Sequence, residues 1–203
     1  MQEAAWVAAP LPERPATATS QRMTDDTDPA HAAETMPILL APDPMLKTRT
    51  RAVTLADADR VAELLPRMFA TMYLAPGIGL AAPQVGVGLR LAVVDLMPGD
   101  VNQPLVLVNP EIVLISAELD TREEGCLSLP GQYADVTRPA RVKVRYHDAA
   151  GIRHDIEAEG LLAACLQHEI DHLDGVLFVD HISTLKRNMI MRKLAKELRL
   201  KAK

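Results

Sequence analysis

Hydrophobic residues recur at helical spacing in three segments of the chain. After Thr54, a typical helix N-cap residue, the apolar positions predict a helix that Pro66 should kink or split in two. A second helix is predicted from about Gly160 to Leu173, and Gly175 beyond it suits the left-handed cap position. A third helix is predicted over the C-terminal residues, about 184–203.

The same spacing predicts which helical side chains face the interior. On the second helix, one face carries Leu161, Cys165, His168 and His172, and we expect this face to point inward. On the third helix, the residues at roughly helical spacing are Leu185, Met189, Leu194 and Leu198.

Short apolar runs outside these helices predict strands. They cover about 89–96, 104–115 and 140–148, and a further run at 175–181 predicts a strand after the second helix. Within 140–148 the apolar and charged residues alternate: Val142, Lys143, Val144, Arg145, Tyr146. Such alternation indicates a sheet with one face covered.

Residues 1–35 show no sustained hydrophobic period and are rich in Ala, Thr, Pro and acidic residues. We expect a disordered extension here, or a start assigned too early, since Met23 or Met36 could each begin a shorter product. The remaining residues, 36–203, are enough for one domain with a full hydrophobic core.

Composition places the chain among ordinary globular proteins. Hydrophobic residues make up 48% and charged residues 24%, while the 3% of aromatic residues predicts an aliphatic core. The longest apolar runs fall short of the roughly 20 residues of a membrane span, so no membrane partner is expected. The N-terminus is a poor secretory signal, and Glu3 and Glu13 argue against a transit peptide. A cytoplasmic location with reduced Cys126 and Cys165 is therefore expected, and an organelle stays open.

Charge is unevenly placed along the chain. The formal net charge of -5 disfavours nucleic-acid binding by the chain as a whole, and no specific DNA partner is expected. From Lys186 to Lys203, however, eight Lys and Arg residues face the single Glu197, about +7 in one segment. This basic segment is equally consistent with a solvated helix face and with a contact to ribosomal RNA.

The stretch "QHEIDHLDG", residues 167–175, carries the strongest chemical signal. On a helix, His168 and His172 lie one turn apart on the same face and Glu169 lies beside them, which holds a metal ion and a base together. This spacing arises by chance only about 0.01 times in a chain of this length. The alternative is a pair of core histidines satisfied by hydrogen bonds.

A catalytic site of this kind takes three protein ligands and keeps one position open, so a third ligand is needed. Downstream of the two histidines, the candidates are Asp174, Asp180 and His181. Upstream, the turn "EEGCLSLPG" contains Cys126, which we favour because a thiolate beside a divalent cation is a soft, charge-donating ligand. Taken alone, an isolated cysteine is more often a small buried hydrophobic residue.

A third stretch, "GIGLAAPQVG" at 77–86, combines close backbone approach with a polar donor. Gly77 and Gly79 let another chain come near, and Gln84 offers a neutral amide. The alternative is a Gly- and Pro-rich turn between a helix and a strand.

Together and in this order, "GIGLAAPQ", "EGCLS" and "QHEIDH" resemble the three signature motifs of the peptide deformylase family, over roughly Met36 to the C-terminus. The resemblance implies an α+β fold, with antiparallel or mixed sheets around the metal-binding helix and a basic C-terminal helix at about 184–203. It also implies a catalytic domain over 36–203. The implied activity is metal-dependent removal of the N-formyl group from the formylmethionine of newly made polypeptides, with release of formate.

The resemblance also assigns roles to residues. It implies that Cys126, His168 and His172 bind the metal and that Glu169 is the general acid and base. Gln84 and the backbone N–H of Leu127 are expected to polarise the scissile carbonyl. The residues implied in substrate binding are Ile78, Gly79, Glu124, Gly125, Leu161 and Cys165. The implied cofactor is one divalent ion, with ferrous iron favoured and zinc, nickel or cobalt as substitutes.

Three positions qualify this resemblance. Tyr133 stands where many bacterial members have an arginine that can contact the substrate, and Ala164 is small where some relatives have a larger aliphatic residue. We also expect Arg138 to pair with Glu124 and to support the metal site.

Two alternative functions remain consistent with the sequence. A different H-E-x-x-H hydrolase, such as a small protease, would need a third ligand downstream and no role for Cys126. An inactive ribosome-associated or metal-storing protein would bind through its basic tail. Glu169 and Gln84 argue against the second alternative, because a structural metal site needs neither.

Overall fold

The computed structural model describes residues 33–97 and 101–201. The expected disordered extension lies outside these residues except for 33–35 and stays a prediction. The helices are α1 Ala58–Leu74, α2 Gly160–Leu173 and α3 Thr184–Lys201. The strands are β1 Gly79–Ala81, β2 Leu91–Val94, β3 Leu105–Ile115, β4 Leu119–Gly125, β5 Tyr133–Pro139, β6 Arg141–His147 and β7 Arg153–Glu159.

Five of the strands form one antiparallel sheet in the order β1-β2-β3-β6-β7, and β4 and β5 form a separate antiparallel pair. The predicted alternation on β6 is confirmed, since Val142, Val144 and Tyr146 are buried. The charged residues between them pair across to β7, with Lys143 Nζ 3.3 Å from Glu157 Oε1. The sheet therefore has one covered face along this edge.

Strand β2 is buried on both faces, which explains its unbroken apolar sequence "LAVV". Leu91 and Val93 pack with α1, while Ala92 and Val94 pack with α2. Helix α2 therefore lies against one face of the sheet and α1 covers the other. The buried side chains are mostly Leu, Val, Ile and Ala, as the low aromatic content predicts.

Helix α2 begins and ends close to the predicted positions. Its last carbonyl, that of Leu173, accepts hydrogen bonds from the backbone N and the Oγ1 of Thr50, both at 2.9 Å. Gly175 follows with φ +75°, as expected for a left-handed cap. A Cβ at this position would lie 2.7 Å from the Lys47 carbonyl oxygen, so the close packing here requires glycine.

Two expectations from the sequence are wrong. Pro66 lies inside one uninterrupted α1, so it does not split the helix, and a kink at Pro66 stays a prediction. The expected strand at 175–181 is instead a 3-10 turn, Phe178–Asp180, because Asp180 Oδ2 accepts the Leu177 N–H at 2.8 Å and folds the chain back. The predicted third helix is present as α3, and two of its apolar residues at helical spacing, Leu185 and Met189, are exposed.

The interior face of α3 is formed by Leu194 and Leu198, two of the residues at helical spacing, together with Ile190. Leu194 is buried there, Ile190 and Leu198 are partly buried, and they pack with Leu129 and Phe178. This face therefore rests on the segment that follows β4. No helix among the described residues combines the length and the apolar character needed to span a bilayer.

Candidate active site

Helix α2 presents three of the predicted site residues on one side. His168 and His172 are one turn apart, with ring centroids 4.9 Å apart and ring planes at 78°. Glu169 and His172 are buried, at 4% and 1% exposure. Of the predicted inward face, Cys165 is buried, whereas Leu161 is half exposed at the mouth of a cavity.

Cys126 reaches the two histidines from the end of β4. Its Sγ lies 3.2 Å from His172 Nε2, and the donor atoms of Cys126, His168 and His172 all lie within 4.8 Å of one another. Donors about 2.0–2.3 Å from a tetrahedral ion are separated by about 3.3–3.8 Å, so this set fits one divalent ion after small adjustments. It is the only such group of three among the described residues.

The downstream ligand candidates have other partners. Asp174 Oδ1 accepts a hydrogen bond from Arg90 Nη1 at 2.9 Å, and Asp180 forms an ion pair with Lys47. His181 Nε2 lies 2.7 Å from Asp171 Oδ2. The structure therefore brings Cys126 to the histidines and leaves the three alternatives in separate side-chain contacts.

A chain of charged groups lies behind His168, one of the predicted metal ligands. Glu124 Oε2 accepts a hydrogen bond from His168 Nδ1 at 2.9 Å, which leaves His168 Nε2 facing the thiol. The expected pair with Arg138 is present, with Nε 2.5 Å from Glu124 Oε1. Arg138 Nη1 also donates to Asp171 Oδ2 at 2.7 Å, and Asp171 in turn accepts from His181. Burial works to raise the pKa of Glu124, but the bonds from His168 and Arg138 outweigh it and hold that pKa at about 2.

Glu169 lies in a different environment. Burial raises its pKa from 4.5 to about 7, although the nearby His168 opposes this shift. Its Oε2 is buried without a hydrogen-bond partner among the described residues. A Cβ at Gly79 would collide with Glu169 Oε1, so the missing side chain of Gly79 makes room for the carboxylate. A carboxyl group that titrates near neutral pH is suited to proton transfer.

Gln84 is held beside the thiol from the 3-10 turn Ala82–Val85. Its Oε1 accepts the Ala81 N–H at 2.8 Å. Its Nε2 lies 3.2 Å from Ser128 Oγ and 3.5 Å from Cys126 Sγ. The amide nitrogen therefore faces the metal donors.

A cavity of about 790 Å³ joins these groups. The predicted site residues that line it are Ile78, Gly79, Gln84, Glu124, Gly125, Cys126, Leu127, Leu161, Cys165, His168 and Glu169. His172 lies next to it through its contact with Cys126. Burial raises the pKa of the Cys165 thiol well above its usual value, so this cysteine stays protonated beside the carbonyl of Ile78.

Gly125 lines the cavity, and its packing against Tyr133 also requires a glycine at this position. It pairs with Tyr133 across β4 and β5, and a Cβ at Gly125 would lie 2.6 Å from the Tyr133 ring. Tyr133 is 63% exposed and lines the cavity, as does Ala164. An aromatic ring therefore stands at the mouth where the resemblance led us to look for an arginine.

Sequence reasoning missed three contributors to the site. Ser128, Asp171 and His181 connect Gln84 and Glu124 to their surroundings. Ser128 and Asp171 lie inside "EGCLS" and "QHEIDH", so their place in the motifs was the available signal. His181 had been weighed only as a metal ligand.

Comparison with known proteins identifies the family. A family model described as polypeptide deformylase matches residues 35–188. The peptide deformylase of Agrobacterium fabrum is 50% identical over 166 residues, covering 81% of this chain and 97% of that protein. That of Rhizobium meliloti is 53% identical over 161 residues, covering 79% and 92%.

Solved structures agree with this assignment. The crystal structure of a peptide deformylase from Legionella pneumophila superposes with a TM-score of 0.78 at 49% identity, covering 84% of this chain and 99% of that one. The peptide deformylase of Synechococcus elongatus in complex with actinonin has a TM-score of 0.73 at 44% identity, covering 78% and 86%. The predicted α+β fold is confirmed, and the chain belongs to the peptide deformylase family.

Proposed function

We propose that this chain hydrolyses the formyl amide of N-terminal formylmethionine on newly made polypeptides and releases formate, with the catalytic groups named below. The observation that carries the proposal is the meeting, in one cavity, of three metal donors, an acid-base group and an amide donor. The cavity residues 77–79 and 124–127 and helix α2 all lie within the matched family region. Residues 36–203 are proposed as the catalytic domain.

Cys126, His168 and His172 are proposed to hold the divalent ion that the family requires. Bound there, the ion would lower the pKa of a water molecule and so supply hydroxide near neutral pH. The thiolate and imidazole donors suit iron, zinc, nickel and cobalt, and ferrous iron is the proposed native metal. Under anaerobic conditions, protein loaded with ferrous iron should turn over faster than the same protein loaded with zinc.

Glu169 is proposed as the general base and general acid. Because its pKa lies near 7, the carboxylate can take the proton of the attacking water, and the acid can then deliver that proton to the departing amine. The space left by Gly79 keeps the carboxylate oxygen at the cavity wall.

Gln84 Nε2 and the backbone N–H of Leu127 are proposed to stabilise the negative charge that develops on the formyl oxygen. Loss of one such donor typically costs about 2.7 to 4 kcal/mol of activation free energy, so Gln84→Leu should lower kcat by about 100-fold or more. A Gln84→Leu variant with unchanged kcat would contradict this role.

The substrate is proposed to lie between β1 and the end of β4. The methionine side chain would occupy the apolar part of the cavity beside Ile78, Leu161 and Cys165. β1 is the edge of its sheet, so Gly79 and its neighbours can pair with a peptide main chain whatever its later side chains. Glu124 borders this pocket, but its two oxygens are engaged by His168 and Arg138, and its proposed role is to orient His168.

The outer face of α3 is proposed to contact ribosomal RNA, in keeping with a cytoplasmic protein that acts on nascent chains. Its buried side packs on the domain, and the exposed basic residues are Lys186, Arg187, Arg192, Lys193, Lys196 and Arg199. A Lys196→Glu variant should co-sediment less with ribosomes, and Arg60→Glu on α1, an equal change of charge at an exposed position, is the matched control. Binding that does not change with salt, or no binding, would leave the solvated-face alternative.

The decisive experiment measures formate release from a formyl-methionyl peptide by anaerobic protein loaded with ferrous iron. Wild-type protein should release formate, and Glu169→Ala should bind the metal without turnover above a trace. An intact, metal-loaded wild type that releases no formate would overturn the proposal. Activity that persists in Glu169→Ala would overturn only the assignment of the base.

A further inference from the structure

The Gln84 side chain can help the reaction only if its amide nitrogen, and not its oxygen, faces the substrate. A primary amide rotates about the bond to its side chain and presents either end. The surrounding residues must therefore fix which end of the Gln84 amide faces the substrate and the angle at which the amide lies. The following inference rests on the proposed role of Gln84 in stabilising the formyl oxygen.

The orientation of the amide is fixed by a backbone donor. The Ala81 N–H can only donate, and it lies 2.8 Å from one end of the Gln84 amide, so that end must be the oxygen. The nitrogen is therefore directed to the opposite side, toward Ser128 and Cys126.

The angle of the amide depends on Ser128. Gln84 Nε2 donates to Ser128 Oγ at 3.2 Å and, on the side of the cavity, to Cys126 Sγ at 3.5 Å. Gln84 is 2% exposed and Ser128 is fully buried, so water cannot easily replace the hydroxyl as acceptor. Without this acceptor, the amide could turn its first hydrogen toward the thiolate.

The two side chains face each other because one segment, residues 39–41, is hydrogen-bonded to both backbones. Leu39 N donates to the Gln84 carbonyl at 2.7 Å, and Ala41 N donates to the Ser128 carbonyl at 2.9 Å. Residues 39–41 therefore bridge the turn that carries Gln84 and the turn that carries Ser128. The fold therefore sets the distance between the Gln84 and Ser128 side chains before any substrate binds.

We propose that Ser128 is a positioning residue, whose hydroxyl holds the Gln84 amide so that its second N–H points to the developing negative charge. Ser128 is not among the residues that line the cavity. Ser128 affects the reaction only through Gln84. The hydrogen bond from the Gln84 amide to the formyl oxygen strengthens as negative charge develops on that oxygen. Loss of the hydroxyl should therefore lower kcat and leave KM nearly unchanged.

A double-mutant cycle separates this role from a merely structural one. The variants are Ser128→Ala, Gln84→Leu and the combination, each assayed for kcat and KM on the same formylated peptide with the metal content measured. Ser128→Ala alone should lower kcat by about 5- to 10-fold, the equivalent of one neutral hydrogen bond. In the Gln84→Leu background, the same change should have no further effect.

Thr71→Val is the matched control for loss of a buried hydroxyl. Thr71 is 3% exposed, and its Oγ1 donates to the Arg67 carbonyl at 2.7 Å on α1. This variant should change stability and leave kcat at the wild-type value. Ser128→Gly, which removes the hydroxyl without placing a methyl group against the amide, should reproduce the cycle if Ser128→Ala folds poorly.

The possible outcomes of the double-mutant cycle have different meanings. An equal loss of kcat from Ser128→Ala in both backgrounds, or no loss in either, would overturn the positioning role. A Gln84→Leu variant with wild-type kcat would instead contradict the proposed role of Gln84. Loss in the wild-type background alone would support both.

Discussion

Replacing Arg138 with methionine tests the charged chain behind the metal site. Arg138 is 6% exposed and donates to two carboxylates, Glu124 through Nε at 2.5 Å and Nη2 at 3.0 Å, and Asp171 through Nη1 at 2.7 Å. Methionine keeps most of the volume and removes every donor. The two carboxylates would then lie close together without their shared cation.

The magnitude follows from burial. Breaking a buried ion pair by removing one partner typically costs about 3–5 kcal/mol of unfolding free energy, because a buried charge is left uncompensated. Arg145→Met is the matched control, since Arg145 Nε is 3.0 Å from Asp155 Oδ1 but the two side chains are 43% and 34% exposed. A pair of that kind is worth about 0.2–1 kcal/mol.

The contribution of Glu124 to the unfolding free energy also depends on pH. The folded pKa of Glu124, about 2, lies below the 4.5 of the unfolded chain, so its ionised form contributes about 3 kcal/mol of stability above pH 4.5. This contribution is lost as the pH falls toward 2. Without Arg138, the pKa of Glu124 should rise, so the loss should begin at a higher pH than in the wild type.

Urea unfolding at pH 7 and across pH 2–5, at a fixed excess of metal, measures both effects. Chelator competition measures the metal affinity, which should fall about 10- to 100-fold because Glu124 no longer holds His168 as firmly. If Arg138→Met destabilises no more than Arg145→Met and keeps the wild-type metal affinity, the supporting role of this chain is refuted.

Further changes test single features of the site and the core. Cys126→Ala should lose most of its bound metal in a chelator competition, and retention of both metal and activity would support a ligand set without the thiolate. Gly79→Ala should lower kcat by on the order of 10-fold or more with the fold retained in circular dichroism, because its Cβ collides with Glu169 Oε1. Phe178→Ala should lower the unfolding free energy by about 3–5 kcal/mol in urea, since this ring is 1% exposed; a loss below about 1 kcal/mol would contradict its place in the core.

The parts of the fold that the sequence predicted are those with a one-dimensional pattern. Helix α2 has a regular period and a glycine two positions beyond its last residue, so its ends and its two histidines could be placed. β2, β3 and β6 are apolar or alternating because each packs against a helix. In these elements the local pattern and the tertiary packing favour the same structure.

Two of the strands that were missed, β4 and β7, carry mostly charged residues. β7, "RHDIEAE", buries Ala158 and partly buries Ile156, and β4, "LDTREEG", buries only Glu124. These strands are held by pairing to a neighbour distant in sequence, such as Gly125 opposite Tyr133, and no property of either segment alone contains that pairing. Conversely, the apolar residues Leu177 to Val179 are all buried at a turn. They are apolar because of this burial and not because they form a strand.

The candidate site shows the same division at the level of single side chains. Groups that are proposed to contact the metal or the formyl oxygen must have a particular chemistry, so the three motifs and the family that they resemble indicated Cys126, Glu169 and Gln84. The groups that hold them need only to offer an acceptor or a charge at the right point, and many residue types can do that. Ser128 holds Gln84 from 44 positions away, and Asp171 holds Arg138 from 33. Because such partners are selected by three-dimensional position and not by chemistry, only the folded chain could identify them, and the site's precision depends on them as much as on the motifs.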